Sequence, residues 1–171
     1  MIIGIVCVDQ NWGIGKKNDL LFHLKKDMQF FRQQTADSIV VCGYNTLLSF
    51  PGSKPLKGRS TICLCPDDVE RDDCFCIHNF DEMVNLVKEI SKTTNVYIIG
   101  GAMLYQSMLP YYDKVFVNKV DADGEAEVFF PDLDKYDGMR LYQMLPEIED
   151  EGYKTRLCIY TKDIPLEVLI G

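Results

Sequence analysis

Histidine is nearly absent from this chain of 171 residues: only His23 and His78 are available to donate imidazole. The C-x₂-C spacing of zinc sites is missing too, because Cys63-x-Cys65 and Cys74-x-Cys76 have one residue between their thiols; no metal site is expected. No stretch approaches the ~18 consecutive apolar residues of a membrane span. The apolar start from Met1 to Val8 is too short for that, and it lacks the preceding basic residues of a secretory signal. Basic residues are in deficit, with 18 Lys and Arg against 26 Asp and Glu and a net charge of −8. Such a chain repels a polyphosphate backbone, which argues against nucleic-acid binding; small anionic ligands stay open where a few basic residues converge. Repeats, low-complexity tracts and linkers are lacking, as is the G-x-G-x-x-G fingerprint of an ordinary dinucleotide fold.

What is present suits a cytoplasmic globular chain. The length fits one compact domain, and 47% of residues are hydrophobic. The seven cysteines are odd in number, and Cys7, Cys42, Cys63, Cys65 and Cys158 lie in apolar β-type runs. They read as buried free thiols in a reducing compartment.

Ile2 to Val8 is a continuous β-branched run, the pattern of a strand covered on both faces. Asp9 to Asn18 is a loop punctuated by Gly13 and Gly15. A helical period follows from Leu24 to Thr35. Further strands are expected at Ile39–Cys42, Ser60–Cys65, Cys74–Ile77, Val96–Ile99, Lys114–Val120 and Tyr153–Thr161, with helices at Tyr44–Phe50, Asp81–Ile90 and Ala102–Leu109. Alternation of this kind predicts an α/β fold with a mostly parallel sheet, right-handed crossovers and an antiparallel C-terminal edge. Ligands bind such sheets beyond the carboxyl ends of the strands, here at the loops Asp9–Asn18, Gly43–Thr46 and Gly100–Met103.

Asp27 falls within the apolar stripe Leu24, Met28, Phe31 of its helix. One reading is a desolvated acid in a cleft, suited to a planar cationic or amidine-like group. The other is a first-turn acid favoured by the helix dipole. Ile98-Ile99-Gly100-Gly101 and Val41-Cys42-Gly43-Tyr44-Asn45-Thr46 both run from a strand into a helix through glycine. Such turns admit close backbone approach to a phosphate, and Thr46 adds a hydroxyl.

Together these segments resemble the dihydrofolate reductase family over about residues 1–162, leaving 163–171 as a C-terminal extension. The stretch from Ile5 to Lys16 is similar to the family's first strand and mobile active-site loop. Asp27 with Phe30-Phe31-Arg32, Gly43-Tyr44-Asn45-Thr46, Pro55 to Arg59, Ile99-Gly100-Gly101-Ala102 with Tyr105, and Phe129-Phe130-Pro131-Asp132 match further signatures.

The resemblance implies a central sheet of about eight strands, a monomer, and hydride transfer from NADPH to 7,8-dihydrofolate in one-carbon metabolism. It places Asp27 at the reacting end, gripping the pterin by a bidentate pair, with Leu20 and Phe22 beside it. Substrate contacts carried over are Ile5, Cys7, Met28, Phe31, Arg32, Phe50, Leu56, Ile99 and Asn118, with Arg59 on the glutamate α-carboxylate. Cofactor contacts are Cys7, Ile14, Gly15, Gly43, Tyr44, Asn45 and Thr46. Leu64, Cys65 and His78 continue them at the adenosine end, and Gly100, Gly101, Ala102, Met103, Leu104 and Tyr105 at the second glycine turn. Antifolates are implied ligands.

Leu21-Phe22 replaces the family's Pro-Trp, so Phe22 packs without donating an indole N–H. Asn118 stands in place of a threonine that bonds the acid. Tyr44, Cys65-Pro66 and Met103 occupy positions that usually read the 2′-phosphate with cations and hydroxyls, which predicts tolerance of NADH unless His78 or Arg71 supplies the charge. Tyr105 either approaches the nicotinamide or packs in the core. Trp12 is expected to be exposed in the mobile loop, and His23 is read as a surface or supporting residue. The competing readings are a riboflavin-pathway-type reductase, which lacks a use for Asp27, and a non-catalytic pterin- or nucleotide-binding protein on the same fold.

Overall fold

The computed structural model describes residues 1–163, so the expected extension lies outside the described residues beyond Asp163. The elements in chain order are β1 (Ile2–Val8), β2 (Gly13–Lys16), β3 (Asp19–Leu20), α1 (Lys25–Thr35), β4 (Ile39–Gly43), α2 (Tyr44–Ser49), β5 (Ser60–Leu64) and β6 (Phe75–Ile77). They continue with α3 (Phe80–Ile90), β7 (Val96–Gly100), α4 (Ala102–Ser107), β8 (Lys114–Val120), β9 (Val128–Phe129), β10 (Met139–Met144), β11 (Ile148–Asp150) and β12 (Tyr153–Lys162).

The main sheet has the order β10-β12-β8-β1-β7-β4-β5-β6, with β11 paired to β12. From β8 to β6 the neighbours are parallel, and the β12 side is antiparallel. Alternation along β1 divides the core. Ile3 and Ile5 join Cys42, Leu47, Ile99 and Phe116 on one face, against which Phe30 and Phe31 of α1 pack. Ile2, Val6 and Val8 join Met83 and Val87 of α3, and Leu104 and Met108, on the other. The period-2 pleat thus determines which side chains reach the α1 side of β1.

Some expectations need correction. The segment Asp9–Asn18 is not all loop: β2 pairs with β3 and with β9 in a second, three-stranded antiparallel sheet. Strands β10 and β11, which the sequence pattern did not show, intervene before β12, so the expected antiparallel C-terminal edge is present and is formed by β12 with β10 outside it. Their alternation was hidden, because β10 leaves all but Met139 exposed. Trp12 is 9% exposed, not a free loop residue. Its ring lies 6.3 Å from Phe130 and 5.9 Å from Tyr160, with Lys119 Nζ 4.9 Å from its centroid. Helix α4 also stops at Ser107, two residues before the expected Leu109.

Asp9 anchors the segment that follows β1. Its Oδ1 accepts from the N–H groups of Asn11 (2.9 Å) and Gly13 (2.7 Å), while Oδ2 accepts from Gly124 N–H (3.0 Å). One buried carboxylate therefore ties two distant loops, and its three hydrogen bonds compensate its desolvation. Trp12→Ala should lower stability by ~3–5 kcal/mol through lost aromatic packing. Urea unfolding followed by far-UV circular dichroism measures it, and a loss under ~1 kcal/mol would contradict a core role.

Candidate active site

Helix α1 begins without a local cap. Leu24 has the extended backbone of an N-cap residue (φ −110°, ψ 117°) but no side-chain acceptor. The acceptor comes from β11: Asp150 Oδ1 accepts from Lys26 N–H at 3.2 Å and Oδ2 from Asp27 N–H at 3.0 Å. Asp150 is only 2% exposed. Beside it, Lys26 Nζ donates to the Glu149 carbonyl at 2.6 Å, and Lys25 Nζ lies 4.0 Å from Glu151.

Positioned by that turn, the Asp27 side chain meets β8. Asn118 Nδ2 donates to Asp27 Oδ1 at 3.0 Å, and Asn118 stands beside Cys7 in the parallel β1–β8 register. Burial raises the Asp27 pKa above the ordinary carboxylate value. The Asn118 amide counteracts by bonding the ionised form, and the nearby Asp150 charge pushes upward again. Burial, with the Asp27 and Asp150 charges, also drives the Cys7 thiol well up, so it remains neutral. The buried Tyr105 hydroxyl donates to the Ile5 carbonyl at 2.8 Å and is likewise pushed up. Its phenol belongs to the core beneath β1, and its ring also lies against Gly100: a Cβ there would meet Tyr105 Cε2 at 3.5 Å.

Apolar residues follow along one side. Phe31, Phe50 and Leu56 pack against the cluster containing Ile5 and Ile99, and Arg59 Cζ lies 5.9 Å from the Phe31 ring centroid. Arg59 is anchored by bonds from Nε to Thr35 Oγ1 (3.1 Å), Nη1 to the Lys57 carbonyl (2.6 Å) and Nη2 to the Arg32 carbonyl (3.1 Å). Those contacts engage three of its five N–H donors and leave one on each terminal nitrogen. Arg32 contributes its carbonyl, and its side chain is exposed.

The two glycine turns face each other. A Cβ on Gly43 would stand 3.8 Å from Gly101 N and 3.9 Å from the Gly100 carbonyl oxygen, and one on Gly101 would meet Thr46 Oγ1 at 3.1 Å. Around this gap Ala102 is half-buried, Asn45 is exposed, Leu104 is buried and Met103 is 84% exposed. At the outer end of β5, Leu64 and Tyr44 are half-buried and Cys65 is buried, its Sγ 3.4 Å from Cys76 Sγ. His78 turns its Nδ1 to the Cys65 and Pro66 carbonyls and its Nε2 to Glu70 (2.8 Å). Arg71 is paired with Asp73 at 2.7 Å.

The structure thus brings Asp27, Cys7, Asn118, Phe31 and Arg59 to one side of the sheet and the two glycine turns to its carboxyl end. Other expected residues stand apart. Leu20 is 55% exposed at the edge of the small sheet, Met28 is exposed, and Ile14 packs on the opposite core with Gly15 against Val128. Phe22 lies edge-on to Tyr153, centroids 4.9 Å apart, next to the hairpin that carries Asp150. His23 is exposed, 3.8 Å from Asp19. Sequence reasoning missed Asp150 and Asp9; the one available signal for Asp150 was a helix opening at Leu24 with nothing local to cap it.

A family model described as dihydrofolate reductase matches residues 1–162. Among curated relatives, dihydrofolate reductase from Mus musculus is 31% identical, with 92% of this chain and 95% of the relative covered. The enzyme of that name from Bacillus subtilis is 30% identical, with 79% of this chain and 78% of the relative covered. A solved structure of dihydrofolate reductase from Enterococcus faecalis complexed with NADP(H) and RAB-propyl superposes with a TM-score of 0.83. Its identity is 24%, with 96% of this chain and 97% of that chain covered, and it shows the shared fold.

The raised Asp27 pKa has a consequence for stability. A carboxyl whose folded pKa exceeds its unfolded one favours the folded state fully below the unfolded pKa. That contribution is lost as pH rises through the folded pKa. Asp27→Asn should therefore melt higher than the parent near pH 8, with the gap closing near pH 3.5. Thermal melts across pH measure it; a pH-independent gap would contradict the assigned burial.

Proposed function

Because the chain belongs to the dihydrofolate reductase family, we propose that it reduces 7,8-dihydrofolate to tetrahydrofolate with NADPH, and that Asp27 is the group on which substrate orientation rests. The carrying observation is a partly buried carboxylate with one oxygen bonded to Asn118 and the other free of protein donors among the described residues. It retains lone pairs for the 2-amino group and N3 of a pterin, a bidentate and charge-assisted match of ~1.5–3 kcal/mol per bond. Ionised, it favours the protonated ring and so eases proton uptake at N5. The proton reaches N5 from solvent, since Phe22 has no donor to fix a water. Phe31, Phe50 and Leu56 offer an apolar wall to the ring and benzoyl group. The two unengaged N–H donors of Arg59 suit the α-carboxylate of the glutamate tail.

The Gly43–Gly101 gap fits a pyrophosphate, because a side chain on Gly43 would crowd the Gly100–Gly101 backbone and one on Gly101 would crowd the Thr46 hydroxyl. Gly43, Thr46, Gly100, Gly101 and Ala102 would hold that part of the cofactor. Carbonyls of Cys7 and Ile99 would meet the pterin edge and the nicotinamide amide. When bound, the cofactor supplies the hydride. The chain's own contribution is orientation, exclusion of water by the segment tied down through Asp9, and the field of Asp27. A riboflavin-type reductase has no need of this acid.

At the adenosine end, the two candidate cations are already engaged, Arg71 by Asp73 and His78 by Glu70. Discrimination for the 2′-phosphate is therefore weakened. Losing two charged contacts removes ~3–6 kcal/mol of preference, and NADPH should lead NADH in kcat/KM by less than roughly a thousandfold. Steady-state assays with both cofactors decide it.

The reaction itself is tested by absorbance. Dihydrofolate-dependent NADPH oxidation is expected, blocked by methotrexate, and Asp27→Asn should retain the fold while losing at least about tenfold in kcat, the equivalent of ~1.4 kcal/mol. Unchanged turnover in Asp27→Asn would overturn the role given to this residue.

A further inference from the structure

We propose that Asp150 is a positioning residue for Asp27: its buried carboxylate takes the first-turn N–H groups of α1 and fixes that turn against β11, and its charge acts on the Asp27 carboxyl. The inference rests on the reading of Asp27 just given and extends it to a residue 123 positions away in the chain.

The geometry is specific. A buried carboxylate takes the two N–H groups that Leu24 cannot satisfy, one of them belonging to Asp27 itself. Helix starts are ordinarily capped by a residue that adjoins them; here the cap arrives on another strand, so the angle at which Asp27 leaves its backbone is set by where β11 stands. Two further contacts secure the arrangement, from Lys26 Nζ to the Glu149 carbonyl and from Lys25 to Glu151. The cap is also an anion beside an anion. Nothing in a merely mechanical cap requires a charge, since Ser, Thr or Asn would accept as well.

The groups facing Asp27 make the electrostatic role separable. From β1 comes Cys7 and from the α4 side Tyr105, both kept neutral by burial; from β8 comes the uncharged Asn118. On α1 itself Lys25 and Lys26 are exposed and turned toward the β11 turn. Asp150 is then the anion that acts on Asp27 among the described residues, in the same direction as burial. A neutral residue at 150 removes that push, and the Asp27 midpoint falls. The limb of the pH profile that reports ionisation of Asp27 would move to lower pH.

The test uses Asp150→Asn and Asp150→Ser in the full chain, with circular dichroism and melting curves to establish folding. The carboxyl ¹³C resonance of Asp27 is titrated in protein without cofactor, so this readout is independent of activity. A fall of the Asp27 midpoint by roughly 0.5–1 pH unit is expected in either folded variant. The kcat/KM profile for dihydrofolate should move the same way. A midpoint within ~0.2 unit of the parent, with kcat/KM lowered equally at every pH, would overturn the proposal and leave Asp150 as a structural cap. If neither variant folds, the parent decides. Coupled carboxyls give an Asp27 curve with a second inflection at the Asp150 midpoint, whereas a one-site curve rejects the coupling. Should the parent show no dihydrofolate-dependent oxidation, the functional reading fails, while the titration still answers for the pair.

Discussion

Everything in this site depends on keeping one carboxylate partly out of water without neutralising it by a cation. Asp27 meets no lysine or arginine among the described residues; its fixed partner is the Asn118 amide. An ion pair at this position would satisfy the acid permanently and leave it no appetite for a ligand. An amide lowers the cost of the charge while leaving lone pairs unfilled. The acid is held ready for a nitrogen-rich ring, and the apolar residues near it sharpen the interaction by excluding water.

The sheet makes that arrangement possible. Parallel pairing of β1 with β8 places Cys7 and Asn118 side by side, and parallel pairing of β1 with β7 and β7 with β4 brings both glycine turns to the same end. The acid and the phosphate cradle therefore share a scaffold of buried strands, so their separation is fixed by backbone pairing rather than by loops. Two acidic residues then secure what the strands do not hold: Asp9 ties the segment beyond β1, and Asp150 secures the start of α1.

Much of this was legible in the residues. Continuous β-branched runs marked the buried strands β1, β4, β5 and β7, and the stripe of α1 put Asp27 in the right neighbourhood. The chemistry of the glycine turns could likewise be read without coordinates, because backbone approach leaves a mark in composition. Other parts left no such mark. β10 carries exposed side chains on both faces, so its alternation vanishes, and β2, β3, β9 and β11 are too short to show a period. Trp12 looked like a loop residue because its partners, Phe130 and Tyr160, lie more than a hundred positions away. Asp150 was invisible for the same reason: a cap supplied from another strand has no spacing rule. The ion pairs that occupy Arg71 and His78 are a third case, since nothing in their order says which acid each will choose.

The position of β12 bears on how the protein is made. The last described strand fills an interior place in the sheet, between β8 and β10, and the short strand just before it, β11, delivers the cap for a helix near the amino terminus. A nascent chain halted before residue 150 would present β8 as a raw, pairing-hungry edge, with α1 lacking its acceptor. Assembly of the site must accordingly wait until β11 and β12 have left the ribosome. The interval before that is when a chaperone has most to shield.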